Sequence, residues 1–153
     1  MTEKIQNTFK SLGFDLEKID DVGHTFKYEG VNYIWLANED ENYLSIGIPA
    51  IAEEPDEEDV LFYRLVDKFN GTLKYIKLNI VGDSLWMFYE RELFGDEEDL
   101  EKIVTRMIVQ LDMALCYFKK LALEAQEYDD EEDEDGSHCI ISDIDVVEED
   151  QNK

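Results

Sequence analysis

The sequence predicts an α+β fold, an antiparallel sheet with the element order α-β-β-β-α-β-β-α. Three observations carry that prediction. Runs rich in β-branched and aromatic residues come as a block of three and then a pair. Each block leads into a segment of helical period, and each of those segments opens with the same acidic quartet, Asp56–Asp59 and Asp96–Asp99. The joins inside the blocks are short polar turns such as Glu29-Gly30 and Gly82-Asp83.

The first element is an amphipathic helix from about Thr2 to Leu12, with Ile5, Phe9 and Leu12 at helical spacing. "HTFKYEGVNYIWLA" then alternates on both sides of Glu29-Gly30. "ANEDEN" is a second polar turn, and "YLSIGIPAIA" alternates again until Pro49 limits the ladder, which completes a three-stranded meander. In "EEPDEEDVLFYRLVDKFNG", Asp56 suits an N-cap, the next two acids favour the positive helix end, and Asn70-Gly71 closes the helix. Its buried face is either Val60, Tyr63, Val66 and Phe69 or Phe62, Leu65 and Phe69. "LKYIKLNIVG" and "SLWMFYERELF" form the final pair of strands.

The last helix, from about Asp96 to Gln126, carries a continuous apolar stripe that includes Leu100, Val104, Met107, Leu111, Leu115 and Phe118. Beyond Met113 the apolar character spreads around the helix to Cys116, Tyr117 and Leu121. A buried core helix explains such a pattern, and so does a face that covers a second copy or a partner. The expected dimer or partner interface is Met107, Leu111, Met113, Leu115, Tyr117, Phe118 and Leu121. A second aromatic group comes from the strands. Alternation puts Tyr33 and Trp35 on one face, and Trp86 and Phe88 on another single face. The sheet core accounts for these four; as client-facing aromatics they would instead line a peptide groove.

Residues 1–125 read as a single domain and 126–153 as an acidic, mostly disordered tail. The whole chain has a formal charge of −25 from 39 acidic and 14 basic residues. The domain itself shares the excess, which argues against nucleic acid or an anionic membrane as partner and suits a basic protein. The tail segment "HCIISDIDVV" is apolar enough for a short strand added to a sheet edge. Two cysteines, Cys116 and Cys139, have no CxxC or metal-type spacing and read as free thiols of a reducing compartment. No signal core and no span of about 18 apolar residues is present, so a cytoplasmic protein is expected.

Several motifs promise chemistry and fail on their surroundings. Gly82-Asp83-Ser84-Leu85 spells a GDSL-type nucleophile block, and Asp135 and His138 supply an Asp-x-x-His spacing. A nucleophile elbow needs a helix after its serine, whereas "LWMFYERELF" reads as a return strand. An EF-hand register on Glu131, Asp133, Asp135 and Gly136 puts Ser142 where the loop wants a bidentate glutamate. His24 is the only histidine besides His138, too few for a zinc site with His138-Cys139. Walker and GxGxxG loops are absent. No enzyme activity, cofactor or metal is expected.

The phrases "FKYEGVNYIWLA" and "ENYLSIGIPAIA", set in this element order, resemble the YbjN-like family, bacterial proteins assigned to sensory-transduction regulation, with a type III secretion chaperone-like fold. The resemblance covers roughly residues 2–124. It implies a non-enzymatic, protein-binding module, chaperone-like or regulatory, that acts as a homodimer on a protein client. The competing expectation from charge alone is an acidic inhibitor or immunity-type protein that blocks a basic folded partner.

Overall fold

A computed structural model describes residues 1–95 and 98–135 of the chain, with side chains through residue 127. The elements are α1 (Thr2–Ser11), β1 (Glu17–Ile19), β2 (Gly23–Tyr28), β3 (Val31–Leu36), β4 (Tyr43–Glu53), α2 (Val60–Thr72), β5 (Ile76–Val81), β6 (Ser84–Glu92) and α3 (Leu100–Asp135). The expected order therefore holds with one addition, the short strand β1. All strands pair antiparallel in a single sheet of order β1-β2-β3-β4-β6-β5.

Local chemistry explains the joins. Glu29 and Gly30 both take positive φ, 51° and 77°, the twist that a two-residue hairpin loop requires. Pro49 does not end β4. It lies where the β4–β6 register shifts between Ile48 and Ala52, so the strand bulges and continues to Glu53. The helix starts fall later than the acidic quartets suggest, because the last acid of each is the one that caps. The Asp59 carboxylate accepts from the Phe62 amide at 3.0 Å, and Asp99 accepts from the Lys102 amide at 3.2 Å. Asp59 rather than Asp56 is thus the N-cap of α2; Asp96 lies outside the described residues.

All three helices cover one face of the sheet. Phe9 of α1 stacks on Trp35, with ring centroids 5.4 Å apart, and lies against Phe26. Val104, Met107, Ile108 and Leu111 of α3 pack over Ile46, Ile48, Met87 and Leu85 in one core. Phe62, Leu65 and Phe69 settle the face of α2, since Val60 and Tyr63 are exposed. Phe69 also meets Tyr117 and Phe118 of α3.

Instead of closing α2, Asn70 clamps the outer edge of β5. Its Oδ1 accepts from the Leu78 amide at 2.7 Å, and its Nδ2 donates to the Leu78 carbonyl at 3.1 Å. That reciprocal pair uses the very groups an added strand would need, and at the opposite edge β1 is only three residues long. Both edges of the sheet are blunted.

Helix α3 continues past Gln126 to Asp135, into the segment expected to start a disordered tail. The expected tail strand at 138–147, with His138 and Cys139, lies outside the described residues.

Candidate protein-binding surfaces

The strand registers sort the four expected client-facing aromatics. Trp35 is opposite Ile46, and Ile46 opposite Tyr89, so all three point under the helices. Tyr33 and Trp35 are buried, with 0% and 5% exposure, and their place is the core. Among the described residues the buried Tyr33 hydroxyl has no hydrogen-bond partner. Burial, reinforced by the Asp112 carboxylate, raises its pKa well above the ordinary phenol value.

Trp86 and Phe88 stand on the other face, where no helix among the described residues packs. Phe88 is paired with Gly47, and Gly47 in turn with Ile34. A Cβ on Gly47 would sit 2.9 Å from the Met87 carbonyl oxygen and 3.3 Å from the Phe88 ring. The missing side chain is what lets Phe88 lie across β4. Trp86 stacks beside it, ring centroids 5.9 Å apart, and both rings are half-buried. Ile34 is buried to 3% although it stands apart from the main core. At the end of the same face, Ser45 donates to the Glu90 carboxylate at 2.8 Å and accepts from Asn38 at 3.1 Å. The open face is thus an apolar aromatic ledge with a fixed polar border.

The residues expected at the interface on α3 divide as well. Met107, Leu111, Leu115, Phe118 and Leu121 are buried within this one chain, so they are not the surface of a folded monomer. Only Met113, 66% exposed, and the half-buried Tyr117 reach outward. The outward stripe consists of Val109, Met113, Cys116 and Leu123, spaced as one face of the helix.

A surface that the sequence reading did not anticipate lies beside that stripe, where α3 passes the ends of β5 and β6. It is a cleft of about 620 Å³. Tyr75 and Tyr89 form one wall, stacked at 6.0 Å and nearly parallel, while Ile103 and Met107 lie deeper. Phe94 stands at the mouth, 75% exposed, its amide held by Glu98 at 2.6 Å. Arg91, Lys102 and Arg106 bring three cations to this one place, beside Glu90 and Glu92. A smaller apolar hollow of about 440 Å³, with Leu73, Ile76 and Ala114 in its lining, continues the cleft along α3.

The hydrolase motif resolves into a turn. Ser84 opens strand β6, where a nucleophile elbow would need a helix, and among the described residues its hydroxyl donates only to the neighbouring Asp83 carboxylate, at 3.2 Å. His24 stacks on Trp35 at 4.9 Å; partial burial, with Lys18 and Lys10 nearby, lowers its pKa. Among the described residues no group of His, Cys, Asp and Glu gathers as metal ligands would, and no helix is long and apolar enough to cross a membrane.

No family model and no curated protein matches this sequence. Among solved structures, YbjN from E. coli matches at a TM-score of 0.56 and 13% identity, covering 75% of this chain and 88% of YbjN. The chain has the fold of YbjN. The Yersinia pestis type III secretion chaperone SycH, solved in complex with a stable fragment of YscM2, matches at a TM-score of 0.44 and 12% identity, covering 74% of this chain and 96% of SycH.

Proposed function

We propose that this protein is a non-enzymatic protein-binding module, chaperone-like or regulatory, which receives an extended segment of a client protein on the open face of its sheet. The ledge of Trp86 and Phe88 over Gly47 carries this reading. Two large rings kept half-buried on an uncovered sheet face offer apolar area to a ligand without needing a pocket. Both sheet edges are blunted, which favours side-chain docking over strand addition. The acidic body steers a basic client toward that face. A second copy packs along the outward stripe of α3, with Met113 at its centre, and makes the working unit a homodimer in the cytoplasm.

The test is selection of displayed extended peptides on the full chain, with the Trp86→Ala/Phe88→Ala double variant as counter-target. Peptides with apolar residues flanked by Lys or Arg should be enriched, and should bind the double variant at least about ten-fold more weakly. Equal binding to both proteins would remove the ledge from the account. Light scattering reports the dimer separately: Met113→Glu should halve the molar mass, and an unchanged mass would exclude this stripe.

A further inference from the structure

Building on the homodimer proposed above, we infer that its two α3 helices run antiparallel, the acidic end of each lying on the cations near the start of the other. Exposure marks the surface. Phe94, Tyr75, Met113 and Leu123 are the four most exposed large apolar residues among those described, at 75%, 68%, 66% and 62%. Phe94 and Tyr75 line the cleft beside α3, Met113 lines the adjoining hollow, and Leu123 follows Met113 along the outward stripe. Apolar area gathered on one side of a domain marks a contact with another macromolecule.

Charge selects a second copy as the occupant. Glu90 and Glu92 line the cleft beside its cations, so the cleft alone favours neither sign. The helix does. Residues 100–120 hold four bases and two acids, a net +2, while residues 121–135 hold nine acids and no base, a net −9. At about 100° per residue, Lys102, Arg106, Val109, Met113, Glu124 and Glu127 fall within about 40° of one line along α3. From its start, that face reads basic, apolar, acidic. Glu101 turns instead toward α1, where it accepts from Ser11 at 2.8 Å. Lys102, Arg106, Glu124 and Glu127 have no ion-pair partner among the described residues. The acidic end also lacks support from its own chain. Beyond Glu124 no acid of the helix has a base three or four residues away, and negative charge at a helix C-terminus opposes the macrodipole.

The spacing of these charges fixes the orientation. Lys102 and Glu127 have their midpoint at 114.5, and Arg106 and Glu124 at 115. One two-fold axis beside Met113 therefore sets Lys102 of each copy by Glu127 of the other, and Arg106 by Glu124, with the apolar middle of the face on itself. Lys120 falls opposite Val109 and Gln110, clear of the other copy's bases. A parallel pair would stack base on base and acid on acid along 25 residues, about 38 Å of helix. The second copy also completes the cleft, since the helix end that reaches Lys102 and Arg106 lies over Phe94 and Tyr75 beside them.

Charge reversal in the full chain tests the pairing. One variant carries Lys102→Glu with Arg106→Glu, the other Glu124→Lys with Glu127→Lys, and both should melt like the parent by circular dichroism. Each alone opposes like charges at both ends, and should dimerise at least about ten-fold more weakly than the parent in light scattering at low salt. Mixed in equal amounts, the two should recover the parent's affinity as a heterodimer, identified by native mass spectrometry, because each end then joins opposite charges. A mixture as weak as its components, or variants that dimerise like the parent, would overturn the antiparallel pairing and leave the homodimer standing. A parent chain that stays monomeric would remove the pairing and the homodimer together.

Discussion

The two faces of the sheet are made from the same strands and nearly the same residue types, yet among the described residues helices cover only one of them. Under the helices, Trp35 touches Phe9 and His24 and is 5% exposed. Across the sheet, Trp86 touches Phe88 and remains half-buried. A tryptophan within a close-packed interior holds many dispersion contacts and leaves a cavity when removed, whereas one on an uncovered ledge returns its site to water. The covered face maintains the fold, and the open face is left available.

Substitutions separate the faces most clearly. Trp35→Ala should cost about 3–5 kcal/mol of unfolding free energy in denaturant titration, and Trp86→Ala about 1 kcal/mol or less. Similar losses would mean that the open face is also core. Next in size is the β5 edge. Asn70→Ala leaves the Leu78 amide and carbonyl unpaired, and should destabilise by about 1–3 kcal/mol and promote association through the freed edge, read by chemical denaturation and light scattering. Tyr33→Phe runs the other way, because it removes a buried hydroxyl without a partner; a melt should show a gain of about 1 kcal/mol. A loss there would reveal a hydrogen bond to the hydroxyl that the structure lacks.

The smallest effect concerns His24, which sits at the margin of the covered face. Its folded pKa is below the ordinary 6.5, so as pH falls the unfolded chain takes up the proton first. Stability contributed by neutral His24 is therefore intact above pH 6.5 and is lost as pH drops through the folded value. His24→Gln should flatten that part of the stability–pH curve, and an unchanged curve would assign the slope to the carboxylates.

What the sequence discloses depends on how far apart the deciding residues lie. Glu29-Gly30 and Gly82-Asp83 announce their hairpins locally, and the period of α3 is visible over many turns. Strand alternation alone pairs Tyr33 with Trp35 and Trp86 with Phe88, but the register through β4 is what puts the two pairs on opposite faces, and Phe9 and Met107 from distant segments decide which face the helices cover. Four consecutive acids look alike as caps until the helix phase chooses Asp59 and Asp99. Strand β1 is three exposed residues with no apolar rhythm to detect. The cleft is illegible for a topological reason. Tyr75, Phe94 and Arg106 meet only because the order β4-β6-β5 brings the start of β5 beside α3.

The division between the faces is tested most directly by amide chemical-shift mapping of the full-length protein with a selected client peptide. The account predicts shifts concentrated at Ile34, Gly47, Trp86 and Phe88, and a Trp86→Ala/Phe88→Ala protein that melts within about 1 kcal/mol of the parent while binding at least ten-fold more weakly. Shifts concentrated on α3 or under the helices, with the open face unmoved, would contradict it.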